Sequence, residues 1–502
     1  MFLQTEFRLT KVLVALTCSL ILLYRLTSGE AVAQEQNYIG TETIQSPFGA
    51  LNFVNGYPTA ETSQRLFDQR TFERGVETFQ THIAAVSMFN LRRGSAAIGA
   101  KEPWQVLYFP RFMDSRSVWL TMDPNAIYVS TFLNLYRDGP TIVEIPPKML
   151  GTFDDMWMRR IIEVGPTGPD RGRGRKFLIV PTGYNGKLPS GFLTAVSRTS
   201  GVWLLLKPEL ADTKADVADQ LIRSKLHVYP LASAHNAPTT AFVDGSGVPS
   251  NTVFSDDYSF FENLAQLIQE EPVDAISPTE RSYLASIGIE KGKFFNAGSH
   301  RTQILALAAR VGAAMARANS YASVDLAKWI YPGRRWVSEI IGQSASFEEN
   351  GYTNIDRLAY YSYLATGNAP AVFLEQAGGD LQRLVTFVDS SGAFLDGAHT
   401  YTLNVPAKIP AKYWSATVYD AETRSMLKNG MPFLAIGSHT KPRMNQDGSV
   451  DLYFGPKIEP GKEANSIRTL PSKGWFLMLR LYEPLESFYN KSWKPNDLEP
   501  IE

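Results

Sequence analysis

Six histidines are the first residues to test for chemistry: His82, His227, His235, His300, His399 and His439. No pair of them has the spacing that puts two imidazoles on one helix face around zinc, and HExxH is absent. His82 falls among apolar helical positions, where a structural histidine is expected. His399 and Tyr401, at the entry to a β-region, are candidate substrate-binding residues. A second constellation is Asp154-Asp155 followed by Trp157-Met158-Arg159-Arg160. Paired acids beside an aromatic platform and cations would suit a glycan cleft in which one acid, raised in pKa, donates a proton. The competing reading is a polar turn with a core tryptophan. From this stretch Asp155, Trp157 and Arg159 are candidate substrate-binding residues. Arg480 joins them because it interrupts an apolar strand, where it would reach a pocket or a buried acid.

Other chemistry lacks its motif. There is no GxSxG elbow; Gly245-Ser246-Gly247 has no preceding strand. There is no Walker loop, and Gly172-Arg173-Gly174 lies in a basic turn. Asn445, Asp447, Ser449 and Asp451 alternate oxygen-bearing side chains as calcium loops do, but without the distal glutamate. A hairpin turn is favoured there, with calcium a secondary expectation. No cofactor and no metal ligand set is evident.

The N-terminus carries the clearest functional signal. Arg8 and Lys11 precede an apolar run over residues 12–24, and Ala31-Val32-Ala33 offers a small-x-small cleavage site. This reads as a signal peptide over residues 1–33, because thirteen apolar residues are too few to span a bilayer. Export to the periplasm or the extracellular space is expected, with no transmembrane anchor after cleavage. Cys18, the only cysteine, lies inside that segment. The remaining chain could use neither disulfides nor a thiolate. The chain has 49 Lys+Arg and 50 Asp+Glu; without residues 1–33 the count is 46 against 48. Near-neutral charge argues against a nucleic-acid partner.

The elements that must position these residues are mainly β with α. Residues 34–56 lack periodicity and are expected as a flexible lead. Phe72, Val76, Phe79, Ile83 and Val86 then share one helix face. Short β-rich runs punctuated by Gly, Pro and Asp follow to residue 230. Residues 231–255 read as a linker. Ser255 is expected to cap a helix bearing Phe261, Leu264 and Ile268, and Ser277-Pro278-Thr279-Glu280 to form a capping box. Gly288 should end that helix. Ser299 should start another, with Ile304, Leu307, Val311, Met315 and Ala318 on its apolar face. From about residue 373 alternation returns: Trp475, Leu477, Leu479 and Leu481 oppose Phe476, Met478, Arg480 and Tyr482. The expected plan is two β-sandwich or jelly-roll-like domains, 57–230 and 373–502, joined by a helical segment over 231–372.

Asp138-Gly139-Pro140, Val143-Glu144-Ile145-Pro146, Asp155-Met156-Trp157 and Gly183-Tyr184-Asn185-Gly186-Lys187-Leu188-Pro189 resemble the bacterial domain-of-unknown-function family numbered 1254. Tyr413-Trp414-Ser415, Val418-Tyr419-Asp420, Asn445-Gln446-Asp447-Gly448-Ser449 and Leu479-Arg480-Leu481-Tyr482-Glu483-Pro484 resemble its usual companion, numbered 1214. Gly288-Ile289-Glu290-Lys291-Gly292 is similar to a segment of their helical linker. Relatives often carry Asn-Trp-Leu-Pro before the last strand, where this chain has Asn465-Ser466-Ile467-Arg468-Thr469-Leu470-Pro471. The resemblance implies two jelly-roll-like domains and frequent export, without a reaction. The leading expectation is an exported enzyme acting on a polar or carbohydrate substrate. The alternatives are a non-catalytic binder of a small molecule or glycan, and a structural or oligomeric envelope component. Sequence does not set the oligomeric state.

Overall fold

The computed structural model describes residues 40–209, 215–342, 346–367, 381–431 and 433–501. The expected signal peptide and the first residues of the lead lie outside them. The chain is mixed, with several sheets and several helices. It divides into a unit ending at Gln69 and a unit beginning at Arg70.

The first unit corrects the expectation of a flexible lead. β1 (Thr41–Ser46) and β2 (Gly49–Val54) form an antiparallel hairpin. Gly49, at φ 113°, supplies the backbone conformation that the tight connection needs. A ladder of main-chain hydrogen bonds, rather than an apolar period, makes these strands. The helix α1 (Ala60–Ile98) follows. It continues through the polar stretch 90–98.

Two sheets make up the N-terminal β-region of the second unit. Its strands are β3 (Gln105–Phe109), β4 (Tyr128–Asn134), β5 (Thr141–Ile145), β6 (Met149–Asp155), β7 (Arg160–Val164), β8 (Arg175–Pro181), β9 (Leu193–Ser197), β10 (Gly201–Pro208), β11 (His227–Pro230) and β12 (Ala241–Asp244). One sheet has the order β12-β3-β4-β10-β6-β7 and the other β9-β8-β5-β11. The expected linker therefore contributes a strand, because β12 pairs in parallel with β3. Alternation sorts the faces. Val129, Leu133, Phe153, Val202, Leu204 and Leu206 share an apolar cluster with Val143, Phe177, Ile179 and Val228 of the smaller sheet. The opposite face of the larger sheet carries Tyr128, Ser130, Phe132, Thr152, Asp154, Trp203, Leu205 and Lys207.

The C-terminal β-region is arranged alike. Its strands are β13 (Val337–Ser338), β14 (Leu381–Thr386), β15 (Thr400–Val405), β16 (Ala411–Asp420), β17 (Ala435–Gly437), β18 (Val450–Gly455), β19 (Ser466–Arg468), β20 (Trp475–Pro484) and β21 (Glu499–Ile501). They form sheets ordered β13-β14-β20-β16-β17 and β19-β18-β15-β21. Trp475, Leu477, Leu479 and Leu481 share a cluster with Leu403, Val405, Leu452 and Phe454. Phe476, Met478, Arg480 and Tyr482 face the other way, as alternation predicts.

Between the β-regions lie α2 (Ser259–Glu270), α3 (Pro278–Ser286), α4 (Gly298–Ala322) and α5 (Ile355–Leu364). The capping box at Ser277 and Glu280 forms, and Gly288 follows the helix end at φ 96°. Ser255 does not cap α2. That helix begins four residues later, where the Asp257 carboxylate accepts from the Ser259 N–H at 2.9 Å. The buried face of α4 also differs from the expected one. Leu305, Ala308, Ala309, Gly312, Ala313 and Ala316 are buried, whereas Leu307 and Met315 are about half exposed. Close helix packing explains this. A Cβ on Gly312 would lie 2.7 Å from the Phe79 side chain of α1, and one on Gly75 would lie 2.7 Å from Ala308. Small residues let the two backbones approach, so the bulky ones are left outside.

Candidate functional site

The sequence candidates separate into three places. Asp155, Trp157 and Arg159 lie together at the β6–β7 turn, which is the polar-turn reading. The Asp155 carboxylate accepts from the backbone N–H groups of Trp157 (2.8 Å) and Arg159 (3.0 Å). The Arg159 Nε reaches its other oxygen at 2.6 Å, and Arg159 Nη2 donates to the Ala275 carbonyl at 2.8 Å. Trp157 is buried beside His82, with ring centroids 6.4 Å apart. Burial drives the His82 imidazole down to about 4, against the opposing pull of the Glu280 charge. His399 is exposed and lies 4.0 Å from Asp396. Tyr401 is buried against Trp475 and its hydroxyl accepts from the Asp396 N–H. The alternating residues of 445–451 form a turn. There the Asp447 carboxylate accepts from the Ser449 N–H and hydroxyl, and Asp451 accepts from the Asn445 amide.

Arg480 stands apart from the other five, at a cavity between the two β-regions. The side of the larger N-terminal sheet that bears Trp203 and Lys207 and the Arg480 side of the C-terminal sheet both line it. The 119–125 connection is held there by the opposite β-region. Arg480 Nη2 donates to the Thr121 carbonyl at 2.7 Å, the Tyr419 hydroxyl donates to the Met122 carbonyl at 2.7 Å, and the Tyr482 hydroxyl donates to the Asp123 carboxylate. Thr121 also donates its hydroxyl to the Leu364 carbonyl (3.1 Å) and the Glu339 carboxylate (3.2 Å). Its φ is 41°, a left-handed conformation that is a genuine outlier for a β-branched residue. Such strain persists only where surrounding contacts over-determine it.

The cavity, about 80 Å³ in volume, is lined by Asp123, Tyr128, Thr152, Trp203, Lys207, Tyr361, Arg383 and Arg480 among others. Arg480 is 1% exposed and Asp123 4%. Their closest charged atoms are 3.9 Å apart, beyond hydrogen-bond range. Burial alone would raise the Asp123 carboxyl. The Arg480 charge and the Tyr482 hydroxyl outweigh it and hold the carboxyl below the usual range. Burial and then the Asp123 charge raise both Tyr482 and Tyr128, so the phenols stay protonated. Arg383, behind which Glu339 sits, donates Nη1 to that carboxylate. Arg383 and Arg480 are direct cross-strand partners on β14 and β20. Like charges placed opposite each other in a sheet destabilise it. Each of these guanidinium groups also keeps a buried Nε–H without a hydrogen-bond partner among the described residues.

Sequence reasoning found Arg480 but missed Thr121, Asp123, Lys207, Glu339 and Arg383. A signal existed for Arg383, which interrupts an apolar strand (LQRLVT) just as Arg480 does. None existed for Thr121 or Glu339, whose roles arise only when distant segments meet. The lining supplies donors, an acid and aromatic faces, and includes no histidine or cysteine.

A family profile described as "Protein of unknown function (DUF1254)" matches residues 105–230, and "Protein of unknown function (DUF1214)" matches residues 382–486, in that order. The chain thus carries both segments expected from the motifs. No curated protein matches it. Among solved structures, the VPA0106 protein of Vibrio parahaemolyticus is similar at 16% identity and a TM-score of 0.51, over 86% of this chain and 100% of that one. An uncharacterised protein of Burkholderia cenocepacia aligns at 10% identity and a TM-score of 0.39, over 88% of this chain and 97% of that one. The first likeness concerns the fold. The cavity lies between the two family segments, with β10 contributing from one and β14 and β20 from the other.

Proposed function

We propose that this is an exported ligand-binding protein whose ligand, a small polar molecule, occupies the cavity between the DUF1254 and DUF1214 segments. The observation that carries this reading is a cavity whose lining brings Asp123, Lys207, Arg383 and Arg480 together from both family segments. Binding is favoured over turnover because the tyrosines Tyr128 and Tyr482 remain protonated. At about 80 Å³ the space suits a small polar molecule better than a glycan chain. The same reading takes each pair of sheets sharing an apolar cluster as a jelly-roll-like sandwich, with the helices between them. Export rests on Arg8, Lys11, the apolar run and Ala31-Val32-Ala33. No helix among the described residues is long and apolar enough to cross a membrane.

Thermal denaturation with a panel of small polar compounds tests the binding reading. At least one should raise Tm with concentration, and Leu205→Trp, which fills the cavity, should abolish the shift. A shift that survives Leu205→Trp would overturn it. Export predicts a mature N-terminus at Gln34 in the periplasm or medium; an intact N-terminus in the cytosol would refute it.

A further inference from the structure

We propose that β1 is a pairing edge for a second copy of this chain, whose own β1 joins it antiparallel about a two-fold axis at Thr43.

In the sheet of the first unit, β2 lies between β1 and the short strand Tyr57–Pro58. The two edges differ. The Tyr57–Pro58 edge is only two residues long and ends in a proline, which has no N–H to offer. β1 pairs with β2 over its whole length, without a bulge, and contains neither proline nor lysine. Its one charge is on Glu42, and Thr41 to Gln45 are exposed. An edge of this kind is a template for another strand.

Hydrogen bonding shows which groups that edge presents. Successive residues of an antiparallel strand turn their main-chain groups to opposite sides. The Asn52 carbonyl accepts from the Thr59 N–H at 3.0 Å, so Asn52 faces away from β1. Asn52 is the register partner of Thr43, which makes this a pair without main-chain bonds between the two strands. The N–H and carbonyl of Thr43 therefore point out of the sheet, and by alternation so do those of Thr41 and Gln45. The Gly40 carbonyl, of the other parity, points inward and accepts from the Gly56 N–H at 2.6 Å. No main-chain hydrogen bond among the described residues reaches the outward groups.

A second β1 matches them. Two-fold pairing in one sheet opposes residues of like parity. With the axis at Thr43, Thr43 meets its own counterpart and Thr41 meets Gln45 of the second copy, so every outward group is used. Glu42 then lies opposite Ile44 of the second copy. An axis at Glu42 would oppose two like charges, which destabilises a sheet, and an axis at Ile44 would leave Thr41 unpaired. A strongly charged peptide strand would find no complementary row along β1. Pairing stops at two copies, because the outer edges of the joined sheet are then the proline-ended ones.

Sedimentation velocity of the purified protein, from the micromolar to the submillimolar range, tests this. The wild type should pass from monomer to dimer and no further. Thr43→Pro removes the N–H at the axis but no main-chain bond between β1 and β2, and should raise the dissociation constant about tenfold or more. Thr43→Val keeps that N–H and loses only the hydroxyl, which donates to Asn52 at 2.9 Å, and should dimerise like the wild type. Thr43→Lys opposes two like charges, so its dimer should be weak at low salt and tighten as salt screens them. A monomer at every concentration would overturn the proposal. So would a dimer that Thr43→Pro and Thr43→Lys leave unchanged, or one that Thr43→Val weakens as much as Thr43→Pro does. Assembly beyond the dimer that Thr43→Pro abolishes would overturn the closed two-fold pairing.

Discussion

At the β6–β7 turn, an aspartate and an arginine four residues apart satisfy each other. Asp155 accepts from two backbone N–H groups and from Arg159 Nε, and Arg159 spends Nη2 on a carbonyl. Between the β-regions, Asp123 and Arg480 come from segments more than 350 residues apart and stop at 3.9 Å. A strained Thr121, an opposed Arg383 and two unpartnered Nε–H donors surround them. The residue types are the same in both places. The first arrangement saturates its carboxylate and fixes a hairpin, with the buried Trp157 Nε1–H beside it left without a partner among the described residues. The second leaves its ion pair open and a cavity lined by both residues. Hydrogen-bond completeness, rather than the presence of acids and arginines, separates a structural pair from a candidate site.

The largest effect that would sharpen this contrast belongs to the closed pair. Asp155→Ala leaves Arg159 and two backbone N–H groups without their acceptor. It should cost about 3–5 kcal/mol in urea unfolding, as breaking a buried pair does. Ligand affinity of the molecules that remain folded should be unchanged. A loss of affinity without a loss of stability would move the site to the turn.

The next effect is one of pH. His82, packed beside Trp157, has its folded pKa lowered from 6.5 to about 4. The folded state therefore binds its proton less readily than the unfolded chain. Its contribution is complete above pH 6.5 and is lost as pH falls from there toward 4. The difference amounts to about 3 kcal/mol. Asp123, also lowered, adds a loss at still more acidic pH, below the usual carboxylate range. Urea midpoints measured across this range should fall with acidity, and His82→Gln should flatten the slope between 6.5 and 4. An unchanged slope in that variant would remove His82 from the account.

Thr121→Gly should change stability least. Relief of left-handed strain, roughly 1–3 kcal/mol, offsets lost hydroxyl hydrogen bonds worth about 1 kcal/mol each. A net change within about 1 kcal/mol is expected, together with weaker ligand binding, because the carbonyl that fixes Arg480 is no longer rigidly placed. Stability and affinity that both stay at wild-type values would show that Thr121 plays no part in the site.

Local pattern made much of this fold legible. The alternation at 475–482 assigned both faces of β20, and the Ser277 capping box placed α3. The α4 face was misread because hydrophobicity favours Leu307 and Met315, whereas the packing uses Ala308, Gly312 and Ala316. The hairpin at 41–54 was hidden because main-chain pairing leaves little trace in side-chain period. Of the cavity, only Arg480 was visible, as a charge on an apolar strand. Asp123 and Glu339 carry no local mark. Their meaning comes from segments hundreds of residues away, and no spacing rule reaches that far.

A crystal structure of the protein grown with the compound that raises Tm most tests the central claim most directly. The account predicts that compound in the cavity lined by Asp123, Lys207, Arg383 and Arg480, with Asp123 still bonded to Tyr482. The compound bound elsewhere, with this cavity closed, would contradict it.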